Sequence, residues 1–348
     1  MAIRELPLLS PSVLALGGLA GLLIALLAAC GASGLSVPAC RTDTATVAPT
    51  PIPESGLTLN VGSYEGTGSP QCIRGIGFQP ILVIIKGDAG EWAVWRSGSM
   101  QGDSTADFSD GQPNIEDGIT SLDPDAFSLG KAAAVNAEGV TYYYAAFSDS
   151  PSIKVGSYVG DGTEVRSITG VGFQPTLVFV KWDGFRTAVW RSATHADSVS
   201  SFFHGEGDLI EFIMAFEPDG FQVSADPWVN RDGGPDEPAV YHYVAFREAT
   251  GLLQTGTYIG DGSDSKDITD IGFQPDYVWI KRSSADSKGV HRSSSLSGDA
   301  TLQFERVANG ADEIKALLPD GFRVGSEPSV NAEGDTFNYV AWKSSSGP

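Results

Sequence analysis

The residues best equipped to hold a ligand recur as a block. Val94-Trp95-Arg96-Ser97 returns as Val189-Trp190-Arg191-Ser192 and, with one exchange, as Val290-His291-Arg292-Ser293. A tryptophan ring suits the apolar face of a pyranose, and an arginine beside it can act as a fork for a ligand. In an extended chain Trp95 and Arg96 point to opposite faces, as do Trp190 and Arg191. Arg96 then shares its face with Val94, as a structural ion-pair partner or as a ligand fork at a sheet edge. Its recurrence with the fold favours the structural role. The rings either stack on sugar or cover the edge of a sandwich. Trp95, Arg96, Trp190, Arg191, His291 and Arg292 are therefore the candidate ligand-binding residues.

Other chemistry is sparse. The chain has no nucleophile elbow, phosphate-binding loop, HExxH helix or dinucleotide fingerprint. Its four histidines, His195, His204, His242 and His291, do not recur at equivalent places, apart from His291 standing where Trp95 and Trp190 stand. That pattern argues against a metal set. Asp261, Asp264 and Asp267 could offer oxygens to calcium, but without EF-hand spacing they read as solvated turn acids. No other cofactor and no catalytic residue is expected. Loop carboxylates leave a glycan-active enzyme as the weakest reading. The formal net charge of −21 over 348 residues argues against nucleic acid and anionic membrane surfaces as partners.

The elements that position these blocks are repeated. Each copy opens on a glycine-flanked tyrosine: VGSYEGTG at Val61, VGSYVGDG at Val155, TGTYIGDG at Thr255. GIGFQPILVIIK, GVGFQPTLVFVK and DIGFQPDYVWIK follow, from Gly75, Gly170 and Asp270. A DPDAF, PDGF or PDGF turn comes next, and each copy closes on YYYAAF, YHYVAF or FNYVAW. Phe78, Phe173 and Phe273 lie 95 and 100 residues apart, which sets the period. β-Branched and aromatic runs without helical period, punctuated by turn residues, predict short strands. Only Glu313 to Leu318 suggests a helical turn.

Alternation along the strands sorts their faces. Val83 and Ile85, Val178 and Val180, and Val278 and Ile280 are small and branched, the core side of each copy. The other face carries Ile84, Phe179 and Trp279, each leading to Lys86, Lys181 or Lys281. Such a face is an intermodule contact or a binding platform, and the contact reading is favoured. The expected fold is all-β, with three tandem β-sandwich, jelly-roll-like modules at 57–148, 149–247 and 248–348. Short linkers between them allow either closure about a pseudo-threefold axis or an end-to-end rod.

Ahead of the modules, Leu8 to Ala29 is an apolar run ending in Leu27-Ala28-Ala29-Cys30. That ending resembles the bacterial lipobox, in which the cysteine is acylated and becomes the new N-terminus. An uncleaved anchor and secretion with cleavage near Ala39 are the alternatives, and all three place the rest outside the cytoplasm. Residues 1–30 are read as signal or anchor and 31–56 as a Pro-rich linker. Cys40 and Cys72, the pair remaining for an oxidising compartment, are expected to form a disulfide.

The ordered blocks resemble a repeated β-sandwich domain of tailed-phage fibre and structural proteins, over almost all of Leu59 to Lys343. A looser likeness, in pattern and length, is to H-type lectin domains. That second likeness implies threefold association and binding of N-acetylgalactosamine-type sugars, although no sugar-binding residue can be matched individually. Repeat 1 departs from the pattern where Asp125-Ala126-Phe127 replaces Asp-Gly-Phe. The combined expectation is an extracytoplasmic binding or adhesion protein, secreted or a cell-surface lipoprotein, recognising extracellular glycan or a cell-surface protein. Contact with the membrane is expected only through the N-terminal anchor. The alternative is a self-assembling structural subunit of an appendage or filament.

Overall fold

The branched and aromatic runs become strands in all three repeats of the computed structural model, which describes Cys40 and residues 56–235, 237–283 and 286–344. Repeat 1 contributes β1 (Leu59–Glu65), β2 (Gln71–Arg74), β3 (Pro80–Gly87), β4 (Val94–Ser97), β5 (Ala106–Asp107), β6 (Ile119–Asp123), β7 (Ala126–Leu129), the single turn α1 (Ala133–Asn136) and β8 (Thr141–Ser148). Repeat 2 adds β9 (Ile153–Val159), β10 (Val165–Thr169), β11 (Leu177–Trp182), β12 (Val189–Ser192), β13 (Val199–Phe202), β14 (Leu209–Ile210), β15 (Ile213–Glu217), β16 (Gly220–Ser224) and β17 (Val240–Phe246). Repeat 3 completes the set with β18 (Leu253–Ile259), β19 (Lys266–Ile268), β20 (Tyr277–Arg282), β21 (Val290–Ser293), β22 (Leu302–Gln303), β23 (Ile314–Leu318), β24 (Gly321–Val324), α2 (Pro328–Asn331) and β25 (Thr336–Trp342).

Each repeat makes two antiparallel sheets in one order. The larger runs β1-β8-β3-β4-β5, then β9-β17-β11-β12-β13 with β14 added, then β18-β25-β20-β21-β22. The smaller sheets are β2-β7-β6, β10-β16-β15 and β19-β24-β23. Between the two sheets of repeat 1 lie Val83, Ile85, Val94, Phe127 and Leu129. Equivalent apolar layers fill repeats 2 and 3, with Val178 and Val180, and Val278 and Ile280, among them. Val83, Val178 and Val278 are fully buried, each opposite the arginine of its neighbouring strand.

The second face of each large sheet is buried as well. Leu82, Ile84, Leu177, Phe179, Tyr277 and Trp279 join one cluster drawn from all three repeats. Burial on both faces explains why these strands read as continuous apolar runs rather than alternating ones. The repeats close around this shared core, and the rod is excluded. Two sets of equivalent rings mark the pseudo-threefold axis. Phe108, Phe203 and Phe304 meet at 4.7–4.9 Å between ring centres, and Phe147, Phe246 and Trp342 at 5.5–5.9 Å.

The segment expected to turn helically does not. Ile314–Leu318 is strand β23, with a bulge between Ile314 and Ala316, because pairing with β24 buries Ile314 in the repeat core. Short helical turns occur instead at α1 and α2, where four residues are too few to show a period. The proline turns also differ. Asp125 takes a left-handed conformation (φ 57°) in repeat 1, whereas Gly220 and Gly321 carry the unusual angle (φ 154° and 153°) in the others. Repeat 1 therefore tolerates Ala126 at the place where the others use glycine.

Candidate functional site

The structure places the repeated Trp-Arg-Ser block in the interior. Trp95 is fully buried, and Trp190 and His291 are at most 2% exposed. Trp95 meets Phe179 edge-on at 5.1 Å, Trp190 meets His195 at 4.7 Å, and His291 lies 4.5 Å from Phe304. None of these rings has a face for a sugar, which corrects the expectation of stacking there. Trp95 and Trp190 belong to the core cluster shared by the three repeats, on strands with a neighbour on both sides, so they do not cover a sandwich edge either.

The arginines are structural. Arg96 donates to the carbonyls of Gly102 (2.6 Å) and Ser104, and Arg191 to those of Ile213 (2.8 Å) and Met214 (2.7 Å). Arg292 donates to Leu296, Gly298 and Ala300. Burial pushes all three guanidinium pKa values down, against nearby aspartates that pull them up. Arg96 and Arg292 tie the loop after their strand to the sheet, and Arg191 ties β12 to β15 of the smaller sheet, each using donors that a ligand would need.

The lysines that end the shared face bond across to other repeats. Lys86 reaches the carbonyl of Val307 in repeat 3 (2.9 Å), and Lys181 that of Gln112 in repeat 1 (3.0 Å). Lys281 reaches His204 and Glu206 in repeat 2, both at 2.8 Å. Burial lowers the pKa of Lys86 and of Lys281 to about 8, despite the acids around them.

Where His291 replaces the bulkier tryptophan, a small cavity opens between repeats 3 and 1, bordered by Ile84, Tyr143, Tyr144, Tyr277 and Ser293. Tyr277 Oη and His291 Nδ1 are 3.0 Å apart, while Nε2 has no partner among the described residues. The space suits a water and is too small for a sugar ring.

The calcium candidates face basic side chains. Asp261 pairs with Lys266, Asp264 with Lys315 and Asp267 with Arg323. Among the described residues no group of three or more His, Cys, Asp or Glu side chains is placed to hold a metal. Cys40 and Cys72 are bonded, with Cα atoms 5.7 Å apart, which fastens the segment before β1 to β2. Cys30 and the apolar run lie outside the described residues, and no helix among those described is long and apolar enough to cross a membrane.

One surface cluster escaped the sequence reading because it does not repeat. Trp182, Phe185, Arg186, Trp228 and Arg231 gather at one end of repeat 2. The Arg231 guanidinium lies over the Trp182 ring at 5.0 Å, and that of Arg186 over the Trp228 ring at 4.5 Å. Phe185 is 60% exposed. Matching strand register puts Gly87 and Arg282 where Trp182 stands, each opposite the equivalent aromatic of the last strand. Ala134 and Ser329 take the place of Trp228, and Ala137 and Ala332 that of Arg231. A comparison of the three copies for departures, rather than matches, would have found them.

A family described as a domain of unknown function (DUF7483) matches residues 248–348, the span of the third repeat. No match is found among curated proteins.

Proposed function

We propose that the chain is an extracytoplasmic binding protein of the adhesion type, with extracellular glycan as its ligand class. The observation that carries this reading is the core shared by three repeats, which joins three β-sandwiches into one compact body with loops outside. A rigid scaffold carrying variable loops suits recognition, because ordering costs are met during folding rather than on binding. The Cys40–Cys72 disulfide supports an oxidising compartment. In this reading the protein is not an enzyme, and its N-terminal segment anchors it to the membrane or directs its export. A glycan array probed with the full chain tests the proposal: a restricted set of bound glycans is expected, and an empty array overturns it.

A structural subunit of an appendage is the second reading. Edge strand β14, which repeat 2 alone adds to its large sheet, favours it, because Leu209 and Ile210 are 41% and 65% exposed there. Light scattering decides this point. Concentration-dependent polymers support a subunit, and a constant monomer mass removes it.

A further inference from the structure

Three copies of one fold provide an internal control. Side chains that the fold requires recur, whereas those serving one copy alone need another reason. Trp182, Phe185, Arg186, Trp228 and Arg231 are of the second kind, and they are contiguous. The Trp182 ring lies so close to Gly184 that a Cβ there would meet it at 2.5 Å. Phe185 and Arg186 follow directly, and Arg186 leads to Trp228, whose Nε1 donates to Thr187 Oγ1 at 3.3 Å. Tyr241 supports the cluster from beneath, stacked on Trp182 with ring centres 6.4 Å apart.

The inner faces of both indoles are filled, by Tyr241 and by Phe212. Their other faces carry guanidiniums, so a sugar is not recognised here by stacking on tryptophan. A guanidinium lying on an indole is held flat while its in-plane N–H groups stay free. Arg186 spends Nη1 on the Phe185 carbonyl (2.9 Å), and its Nε is buried without a partner among the described residues, which leaves the outer Nη2 for a ligand. Neither Arg186 nor Arg231 is paired with a described carboxylate, in a chain carrying 43 acidic residues. Of the described acids close to them in sequence, Asp183 is engaged with His242 (3.0 Å) and Asn114 (2.7 Å), Asp226 with the Trp228 amide (2.9 Å), and Asp232 with the Gly234 amide (2.8 Å).

We propose that Arg186 and Arg231, with the exposed ring of Phe185 beside them, form a site for a sugar residue bearing one carboxylate. This rests on the glycan-binding reading above and names its ligand. The stacked guanidiniums supply fork-shaped donors for the carboxylate, and Phe185 supplies an apolar surface for the ring. A net charge of −21 repels long polyanions, so the ligand is a short glycan with a single acidic unit.

The test is titration of the full chain with 3′-sialyllactose, lactose and inorganic phosphate, followed by calorimetry. Sialyllactose is expected to bind at least about tenfold more tightly than lactose. The Arg186→Ala/Arg231→Ala double variant is expected to lose that preference, with an unchanged circular dichroism spectrum. Arg186→Lys/Arg231→Lys, which keeps charge but not the fork, should recover only part of it. Arg323→Ala, at an exposed ion pair in repeat 3, should leave binding intact. Equal affinity for the two sugars, or an undisturbed double variant, overturns the site. Displacement by equimolar phosphate reduces it to a bare anion site and overturns the sugar assignment. If the array shows glycans that the double variant still binds, the broader function survives and this site falls. An empty array removes both.

Discussion

At position 195 repeat 2 places a histidine where repeats 1 and 3 carry Met100 and Leu296, each amide bonded to the serine carbonyl three residues earlier. His195 Nδ1 accepts from the Ser192 amide at 3.1 Å, and Nε2 lies 2.9 Å from Ser201 Oγ, which donates to Asp208. Burial, and then the Arg191 charge, push its pKa from 6.5 down to about 3. The folded protein therefore holds this imidazole neutral where the unfolded chain protonates it. Stability from His195 is complete above pH 6.5 and is lost as pH falls towards 3, at about 1.4 kcal/mol per pH unit inside that window. His195→Leu should fold and flatten that part of the profile, as read from urea midpoints between pH 7 and 4. An unchanged slope would remove His195 as the cause. At this scale the sequence was only half legible. The branched valines of the repeat cores could be read from alternation, but Trp95 and Trp190 could not be placed, since a strand aromatic suits a binding surface and a covered face equally well. For Trp95 what decides is Phe179, a neighbour in another repeat.

Among the elements, the proline turns show how one backbone solution replaces another. The Cβ of an alanine at Gly220 would come within 1.9 Å of the Ile168 carbonyl oxygen, and Gly321 stands in the same relation to Ile268. Gly220→Ala should therefore destabilise repeat 2 by about 1–3 kcal/mol. Ala126→Gly should cost repeat 1 under about 1 kcal/mol, because the left-handed residue there is Asp125. Equal losses in thermal melts of the two variants would contradict this account. Strand existence was plain from composition and turns, and the Asp-Ala-Phe departure was visible as a departure. The identity of Ile314–Leu318 was not, since Ile, Ala and Leu fit a helical turn until β24 pairs with them.

For the molecule as a whole, the shared core means that no repeat has a complete interior of its own. Repeat 3 alone would expose Tyr277, Trp279, Phe304, Val340 and Trp342, all at most 2% exposed in the intact chain. A fragment spanning 248–344 should self-associate or precipitate, and a stable monomer in light scattering would show that the core is dispensable. The intact chain should unfold in one calorimetric transition, with Phe203→Ala lowering the stability of all three repeats by about 3–5 kcal/mol. Separate transitions, of which only one shifts, would count against this coupling. The sequence supplied the faces that meet, Ile84, Phe179 and Trp279, yet left closure and the rod open. Both arrangements bury apolar strands, and only the relative placement of repeats distinguishes them. The indole N–H groups of Trp95, Trp190 and Trp342 find no oxygen or nitrogen acceptor among the described residues, so ring packing rather than hydrogen bonding holds the centre.

The lysine contacts run from repeat 1 to 3, from 3 to 2 and from 2 to 1. A ring has no first member. The amides of Ser148, Arg247 and Lys343 bond the carbonyls of Thr58, Ser152 and Leu252, so each repeat begins and ends at matching places. Lys343 thus stands to Thr58 as Ser148 stands to Ser152, a gap that the chain itself crosses in four peptide steps. The order in which the repeats are strung is then a property of the gene, with little bearing on the folded body. A circular permutant that joins Lys343 to Leu57 through a short glycine-serine bridge, and opens between Ser148 and Ser152, should reach the same fold and melt within a few degrees of the 57–343 parent.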